Sequence, residues 1–283
     1  MLHVQHVPET SIQRLKNSMD TCHSYVMRWS HWVVFSMVCG KKMQKPSPRN
    51  FSFNPVGIVS SPYRQKFAVP RQPGLVTAAT GEILLVGDQN REEALRGLED
   101  FSHLWIIFVF HQNLQQGWKP TVRPPRLGGN KRMGVFATRS PFRPNPIGLS
   151  VVELKGIKKQ GRQWTLRIAG GDLVDGTPIL DIKPYVPYVD AIAGAQGGFT
   201  DNSPSVIVPV TFTSISEKQL AQHQVAYPTL KLLIEQVIAQ QPQPAYHADN
   251  ADRVYGMTLY NLNIQWRNDV QGSVVQAITL TDN

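Results

Sequence analysis

The segment from Met133 to Leu154, MGVFATRSPFRPNPIGLSVVEL, restricts the fold more than any other stretch of the chain. Pro141, Pro144 and Pro146 each fix φ, lack an amide hydrogen and push the preceding residue out of the α region, so RSPFRPNPIG cannot be helical. It must run as a stiff, extended connector with spare carbonyl acceptors. β-rich runs flank it, Met133 to Ala137 and Ile147 to Leu154, so the connector joins two strands. It carries Arg139 and Arg143, and a rigid loop bearing two guanidinium groups suits an anionic or carbonyl-rich ligand. The same composition also describes a solvated turn whose arginines keep it soluble, and the residues alone leave both readings open.

Further strands are expected on both sides of this segment. Val56 to Ser60 and Glu82 to Val86 read as short strands, and Leu104 to Phe110 is a continuous apolar run of strand length, expected to be buried on both sides. Between them, Asp88 to Asp100 predicts a helix with Asp88 as N-cap and Ala94, Leu95 and Leu98 on one face. Trp164 to Ala169 alternates, and Ile179 to Ile182 and Val206 to Phe212 add further strands, with Asp175-Gly176 as a turn. Many short strands with few helices point to a mainly β fold, an antiparallel barrel or sandwich. A parallel nucleotide-binding sheet would need crossover helices that this pattern lacks.

Composition changes near Thr213. Ser216 with Gln219 reads as a capping box, and Leu230, Leu233, Ile234, Val237 and Ile238 form a helical stripe starting just after Pro228. Strands at Met257 to Trp266 and Val274 to Leu280 then complete a small C-terminal α+β domain. The expected organisation is therefore residues 1–50 as an N-terminal extension ending in the linker-like KPSPRN, either dispensable or poorly ordered or else an amphipathic appendage that packs on the body, 51–212 as the β domain and 213–283 as the α+β domain.

The 283 residues carry 29 basic and 20 acidic side chains, a net charge of +9 that favours a polyanionic partner such as nucleic acid. The distribution is more telling than the sum. From Lys119 to Arg143 the chain holds Lys119, Arg123, Arg126, Lys131, Arg132, Arg139 and Arg143 and no acid, bordered by Trp118 and Phe142 as stacking surfaces. Lys119, Arg123, Arg126, Lys131, Arg132 and Arg143 are the candidate RNA contacts, although a solvated loop has the same composition. RLGGN within the run has neither a P-loop lysine nor dinucleotide-loop glycine spacing. Only two cysteines occur, Cys22 and Cys39, which fits a reducing cytosol and excludes a disulfide framework or a four-cysteine zinc site; no metal is expected. The apolar run Trp32 to Val38 is too short to span a bilayer, so no membrane partner is expected. His111 and Gln112 stand where the apolar strand ends, a place that serves equally a ligand contact or a satisfied strand-end histidine.

FAVPRQPG, FSHLWIIFVFHQ, GVFATRSPFRPNPIGLS and DLVDGTPILDIKPY, in that order, resemble the family of S-adenosylmethionine-dependent tRNA methyltransferases called TrmO, or TsaA-like. The resemblance runs from about Phe53 through the C-terminal domain. It implies a β-barrel, a cytoplasmic homodimer, S-adenosylmethionine as cofactor, and methylation of N6 of threonylcarbamoyladenosine at position 37 of threonine tRNA. Carried over by motif, the cofactor contacts are Pro70, Arg71, Gln72, His111, Gln112, Arg139, Leu149, Ala169, Gly170, Gly171 and Asp172. The family commonly has another pattern where this chain reads AGGD, so contacts from Ala169 to Gly171 are expected through the main chain. N6 loses a proton on methylation, and the expected acceptor is Asp181 or a backbone carbonyl of the proline-rich loop, leaving Arg143 for RNA phosphate. A rival of another class is a β-barrel RNA-binding or regulatory module that holds the cofactor without transferring its methyl.

Overall fold

The computed structural model describes residues 51–200, 208–243 and 253–281. The expectations for the N-terminal extension, its cysteines and Val206 lie outside the described residues. Six strands, β1 (Gly57–Ser60), β2 (Thr80–Leu85), β3 (His103–Val109), β6 (Ile147–Gln160), β7 (Gln163–Ala169) and β8 (Pro178–Pro184), pair in the order β1-β2-β7-β6-β3-β8. Every contact is antiparallel, and β8 returns to β1 through Gly57 with Ile179 and Ile58 with Pro178, which closes the ring into a barrel. Closure leaves no unpaired edge strand in this sheet. Between β3 and β6, β4 (Thr121–Val122) and β5 (Met133–Gly134) form a separate two-stranded ribbon.

Alternation along the strands fills the interior. Val59, Ile83, Leu104, Ile106, Val152, Leu166 and Ile179 are all 2% exposed or less and make one core. β3 was expected to be buried on both sides. Instead Leu104, Ile106 and Phe108 point inward while Trp105, Ile107 and Val109 are half-buried, because only one face of a barrel strand meets the interior. Trp105 is covered from outside by Tyr185 and donates from Nε1 to Asp190 Oδ2 at 2.9 Å, on the short helix α1 (Pro187–Asp190). β6 runs on to Gln160, and its register slips against β7 at Leu154/Gly156, where Gly156 has φ +133°. The bulge bends the strand so that its first half pairs with β3 and its second with β7.

The helix expected over Asp88 to Asp100 does not form. Gly97 takes φ +80° and interrupts the segment, leaving three 3₁₀ turns at Gly87–Gln89, Glu93–Leu95 and Leu98–Asp100, and Asp88 makes no cap but pairs with Arg91 at 3.6 Å.

The second sheet has the order β10-β11-β12-β9, with β9 (Val210–Phe212), β10 (Val254–Leu259), β11 (Leu262–Asp269) and β12 (Gly272–Leu280). The run Met257 to Trp266 is thus two strands joined by a tight turn in which Tyr260 has φ +56°. β9 lies parallel to β12 and belongs here, not with the barrel, so the expected division after Phe212 falls inside this sheet's own sequence. Two helices, α2 (Ser214–His223) and α3 (Leu230–Ala239), pack on the sheet. α3 buries all five residues of the predicted stripe. The capping box is displaced: Thr213 is the cap of α2, accepting from Ser216 N at 3.2 Å, and Gln219 Oε1 instead accepts from Ile278 N at 2.8 Å.

This second core extends into the segment between β1 and β2, burying Tyr63, Ala68, Val76, Ala78 and Ala79 against α3 and the sheet. Polar contacts follow the same path. Gln236 accepts from Ala78 N at 2.9 Å, Gln240 donates to Leu75 O at 3.1 Å, and Tyr260 N donates to Pro62 O at 2.7 Å. The segment 62–79 is therefore held by the C-terminal elements. Among the described residues no helix is long and apolar enough to cross a membrane, and no group of three or more His, Cys, Asp or Glu is placed to hold a metal.

Candidate active site

A cavity of about 520 Å³ opens beside the starts of β6 and the ends of β3, within the range usual for small-molecule sites. Segments far apart in sequence meet there. Pro70, Arg71 and Gln72 arrive on the braced segment, His111 and Gln112 on the 3₁₀ turn His111–Gln116 that ends β3, and Arg139, Pro141 and Arg143 on the proline-rich connector. Ile147 to Ser150 come from β6, and Asp172, Val174 and Thr177 from the β7–β8 link. Gly148 is required by packing: a Cβ there would lie 2.2 Å from the ring of Phe108. That ring stacks edge-on with Phe110 at 5.0 Å, and both line the cavity.

A polar string crosses this space. Arg139 Nη1 donates to Gln72 Oε1 at 2.6 Å, and Ser150 Oγ donates to Asp172 Oδ1. Ser150 is 1% exposed, so its hydroxyl is committed to the carboxylate. Burial pushes the Asp172 carboxyl above its ordinary 3.8; the Ser150 hydroxyl, its own backbone amide and the Arg139 charge oppose the shift without cancelling it. Asp172 is the single carboxylate among the lining residues, against the cations Lys66, Arg71, Arg139 and Arg143. Lys66 Nζ also donates to Gln112 O at 3.1 Å, tying the braced segment to the end of β3.

Eight of the expected cofactor contacts, Pro70, Arg71, Gln72, His111, Gln112, Arg139, Leu149 and Asp172, line this one cavity. Ala169, Gly170 and Gly171 do not. Ala169 is 2% exposed at the end of β7, and the Gly170 main chain is used elsewhere, donating to Ala79 O at 3.0 Å and accepting from Gly74 N at 2.8 Å. Beyond that anchor the chain alternates, so Leu173 enters the core while Asp172 and Val174 face the cavity. Val174 and Thr177 were missed, as was Ser150. A serine in the inward series Gly148, Ser150, Val152 was the signal, since a polar group at a core position needs a partner.

Asp181 is a correction. It does not line the cavity; it sits opposite Ile107 on β8, accepts from Ile182 N and pairs with Lys183 Nζ at 2.9 Å. Nearness in the motif did not become nearness in space, because the β7–β8 link ends before it. Arg143 is also placed differently from expectation. Its Nη1 donates to Val135 O at 3.2 Å and Thr138 O at 2.7 Å, so it braces the connector from the inside. The other five basic candidates, Lys119, Arg123, Arg126, Lys131 and Arg132, are exposed along the β4–β5 ribbon and its tip. Lys119 Nζ lies 4.3 Å from the Phe142 ring centroid, which joins the ribbon's base to the connector. Asp175 is more than a turn residue: it accepts from Ser61 N at 2.9 Å and pairs with Arg64.

Comparison with known proteins identifies this arrangement. The tRNA-methyltransferase O N-terminal domain matches residues 58–191 and the TrmO C-terminal domain residues 205–281. The chain belongs to the tRNA-methyltransferase O family. It is 51% identical over 219 residues to a tRNA (adenine(37)-N6)-methyltransferase of Escherichia coli, covering 77% of this chain and 93% of that protein. A putative S-adenosylmethionine-dependent methyltransferase of Pseudomonas aeruginosa is 47% identical, covering 76% of this chain and 91% of the relative. The crystal structure of TrmO from Pseudomonas aeruginosa superposes with a TM-score of 0.69 at 38% identity, over 82% of this chain and 99% of that one. The donor set suits the methyl donor that these names print. The guanidinium groups of Arg71 and Arg139 match its carboxylate, Phe108, Phe110 and Leu149 offer apolar surface for its ring, and Asp172 can accept from amino or hydroxyl groups.

Proposed function

We propose that this chain transfers a methyl group from S-adenosylmethionine to N6 of threonylcarbamoyladenosine at position 37 of threonine tRNA, working as a cytoplasmic homodimer. The observation that carries this reading is the junction of two features on one connector. Residues 119–143 begin as a basic ribbon suited to RNA phosphates and end as the cavity wall holding Arg139, Pro141 and Arg143. An RNA held on the ribbon is thereby brought to the cavity mouth. The exposed turn Tyr188, Val189 and Ile192 offers an apolar face for the second copy.

When bound, the cofactor supplies an electrophilic sulfonium methyl. Arg71 and Arg139 hold its carboxylate, and the Gln72 side chain fixes the direction of the Arg139 guanidinium. Residues Phe108, Phe110 and Leu149 exclude water from the reacting centre. Most of what the protein contributes is alignment, which is worth on the order of 7–11 kcal/mol when complete. Asp172, which lines the cavity where Asp181 does not, accepts the N6 proton. Its raised pKa makes the carboxylate a better base than an exposed aspartate, and Ser150 holds Oδ1 in place.

Incubation with labelled cofactor and threonine tRNA, followed by nucleoside mass spectrometry, tests the reading. Label is expected on the threonylcarbamoyl-modified nucleoside and not on tRNA lacking that modification. Cofactor binding without transfer would favour the RNA-binding module. Arg71→Ala and Arg139→Ala should each weaken cofactor binding about tenfold or more with folding intact. Unchanged affinity in both removes them from the site, and a monomer in sedimentation removes the dimer.

A further inference from the structure

The geometry points to Phe136 as a stacking platform for an unpaired base next to the target nucleotide, a contact that positions the RNA strand at the cavity mouth. The inference rests on the RNA substrate proposed above.

Phe136 is 75% exposed, an uncommon setting for a phenylalanine without a ligand or partner. It lies on the 3₁₀ turn Val135–Ala137, and that turn is rigid. Val135 beside it is 2% exposed and anchors the backbone. Thr138 donates to Val135 O from both N, at 3.2 Å, and Oγ1, at 2.9 Å, and Arg143 grips the turn through its bonds to Val135 O and Thr138 O. The same guanidinium approaches the Phe136 ring at 5.6 Å from the centroid. Because the backbone that carries the ring is held, covering it with a ligand orders only the side chain and not the turn.

Its surroundings select the ligand class. The turn follows β5 of the basic ribbon directly and precedes Arg139, Pro141 and Arg143 of the cavity wall. No acidic residue occurs anywhere from Lys119 to Arg143. A flat, open aromatic face within a field of cations fits a nucleobase attached to phosphate, and an apolar protein surface much less well. Phe142, the aromatic residue singled out from sequence, competes less well because it is half-buried; each ring has a cation over one face, Lys119 on Phe142 and Arg143 on Phe136, but only Phe136 stands clear of the surrounding chain. Stacking tolerates any base, so Phe136 holds the strand in register without reading its sequence.

The test uses the full chain and an anticodon stem-loop RNA with threonylcarbamoyladenosine at the target position and 2-aminopurine at the adjacent nucleotide. Binding to the wild type should change the 2-aminopurine fluorescence. F136A should weaken RNA binding about 10- to 100-fold and raise KM for RNA more than it lowers kcat, with cofactor affinity unchanged. F136W should restore affinity, whereas F136L, apolar but without a π face, should not. Wild-type RNA affinity in F136A or F136L overturns the inference. So does a change of oligomeric state in F136A that accounts for the loss, since the ring would then serve a second copy. If the wild type methylates the RNA and F136A equals it, only this inference falls; if the wild type does not bind the RNA, both readings fall.

Discussion

Asp172 and Gly148 are the two positions where single atoms decide what the cavity can do. The raised pKa of Asp172 means that the native chain holds a proton in a pH range where the unfolded chain has lost it. Native-state stability therefore declines as pH rises from about the ordinary 3.8 through the raised value, and above that the ionised carboxylate is a constant cost. Asp172→Asn should raise Tm relative to wild type at pH 8, with a smaller gain near pH 4, while lowering kcat by about 10²-fold or more. Thermal melts at the two pH values, paired with turnover measurements, check both parts; equal gains at both would remove the linkage. Gly148→Ala acts by volume. The added methyl meets the Phe108 ring, which has no room on the Phe110 side, so a loss of about 1–3 kcal/mol and weaker cofactor binding are expected. Denaturant unfolding with an unchanged midpoint would show that the ring moves freely. Local residue type announced neither effect, because both arise from what stands opposite on another strand.

At the scale of elements, the β4–β5 ribbon and the braced segment do different work. Arg123, Arg126, Lys131 and Arg132 extend from the ribbon without a carboxylate among their own run, so their charge is available to phosphate. Replacing all four by alanine should flatten the dependence of log K on log salt by about 0.7 for each side chain in contact, and leave cofactor affinity as it was. An unchanged salt slope would place the RNA elsewhere. The braced segment 62–79 has few ladder bonds of its own, and α3 supplies what it lacks through Gln236 and Gln240. In Gln236→Ala the Ala78 amide loses its acceptor; a stability loss of about 1–3 kcal/mol is expected, with a several-fold rise in cofactor Kd as Pro70 to Gln72 loosen. Calorimetric titration of the variant measures the second effect, and an unaltered Kd would separate the brace from the site.

For the whole molecule, the barrel has a core of its own, but the segment joining β1 to β2 is buried in the separate core of the C-terminal sheet, so neither part is expected to stand alone. A fragment ending at Phe212 would expose Tyr63, Ala68, Val76, Ala78 and Ala79 and lose the partner of β9. It should lack a cooperative melting transition; one that melts cooperatively and binds cofactor as the full chain does would establish the barrel as independent. Most strands, the α3 stripe and the stiff proline connector were legible from sequence, because period, turn residues and fixed φ angles are local properties; the strand expected over Met133 to Ala137 is instead two strand residues followed by the 3₁₀ turn Val135–Ala137. The motif residues Pro70 to Gln72, His111, Gln112, Arg139 and Leu149 were legible too, through family resemblance. The helix expected at Asp88 was not, since Asn90 leaves the helical region to bond with Arg162 and Trp164 and Gly97 takes a left-handed conformation, overriding a pattern that a short window reads as amphipathic. Asp181 and Asp172 stand nine positions apart on adjoining parts of one motif, and only barrel closure decides which of them faces the cavity. The partition of Arg139 and Arg143 is likewise tertiary: both sit on the same connector, yet one meets Gln72 from 67 residues away while the other bonds to the connector's own carbonyls. Sequence by itself determined that a rigid, cationic strand-to-strand loop exists here; the tertiary structure decided what each of its side chains touches, because those partners are set by long-range packing.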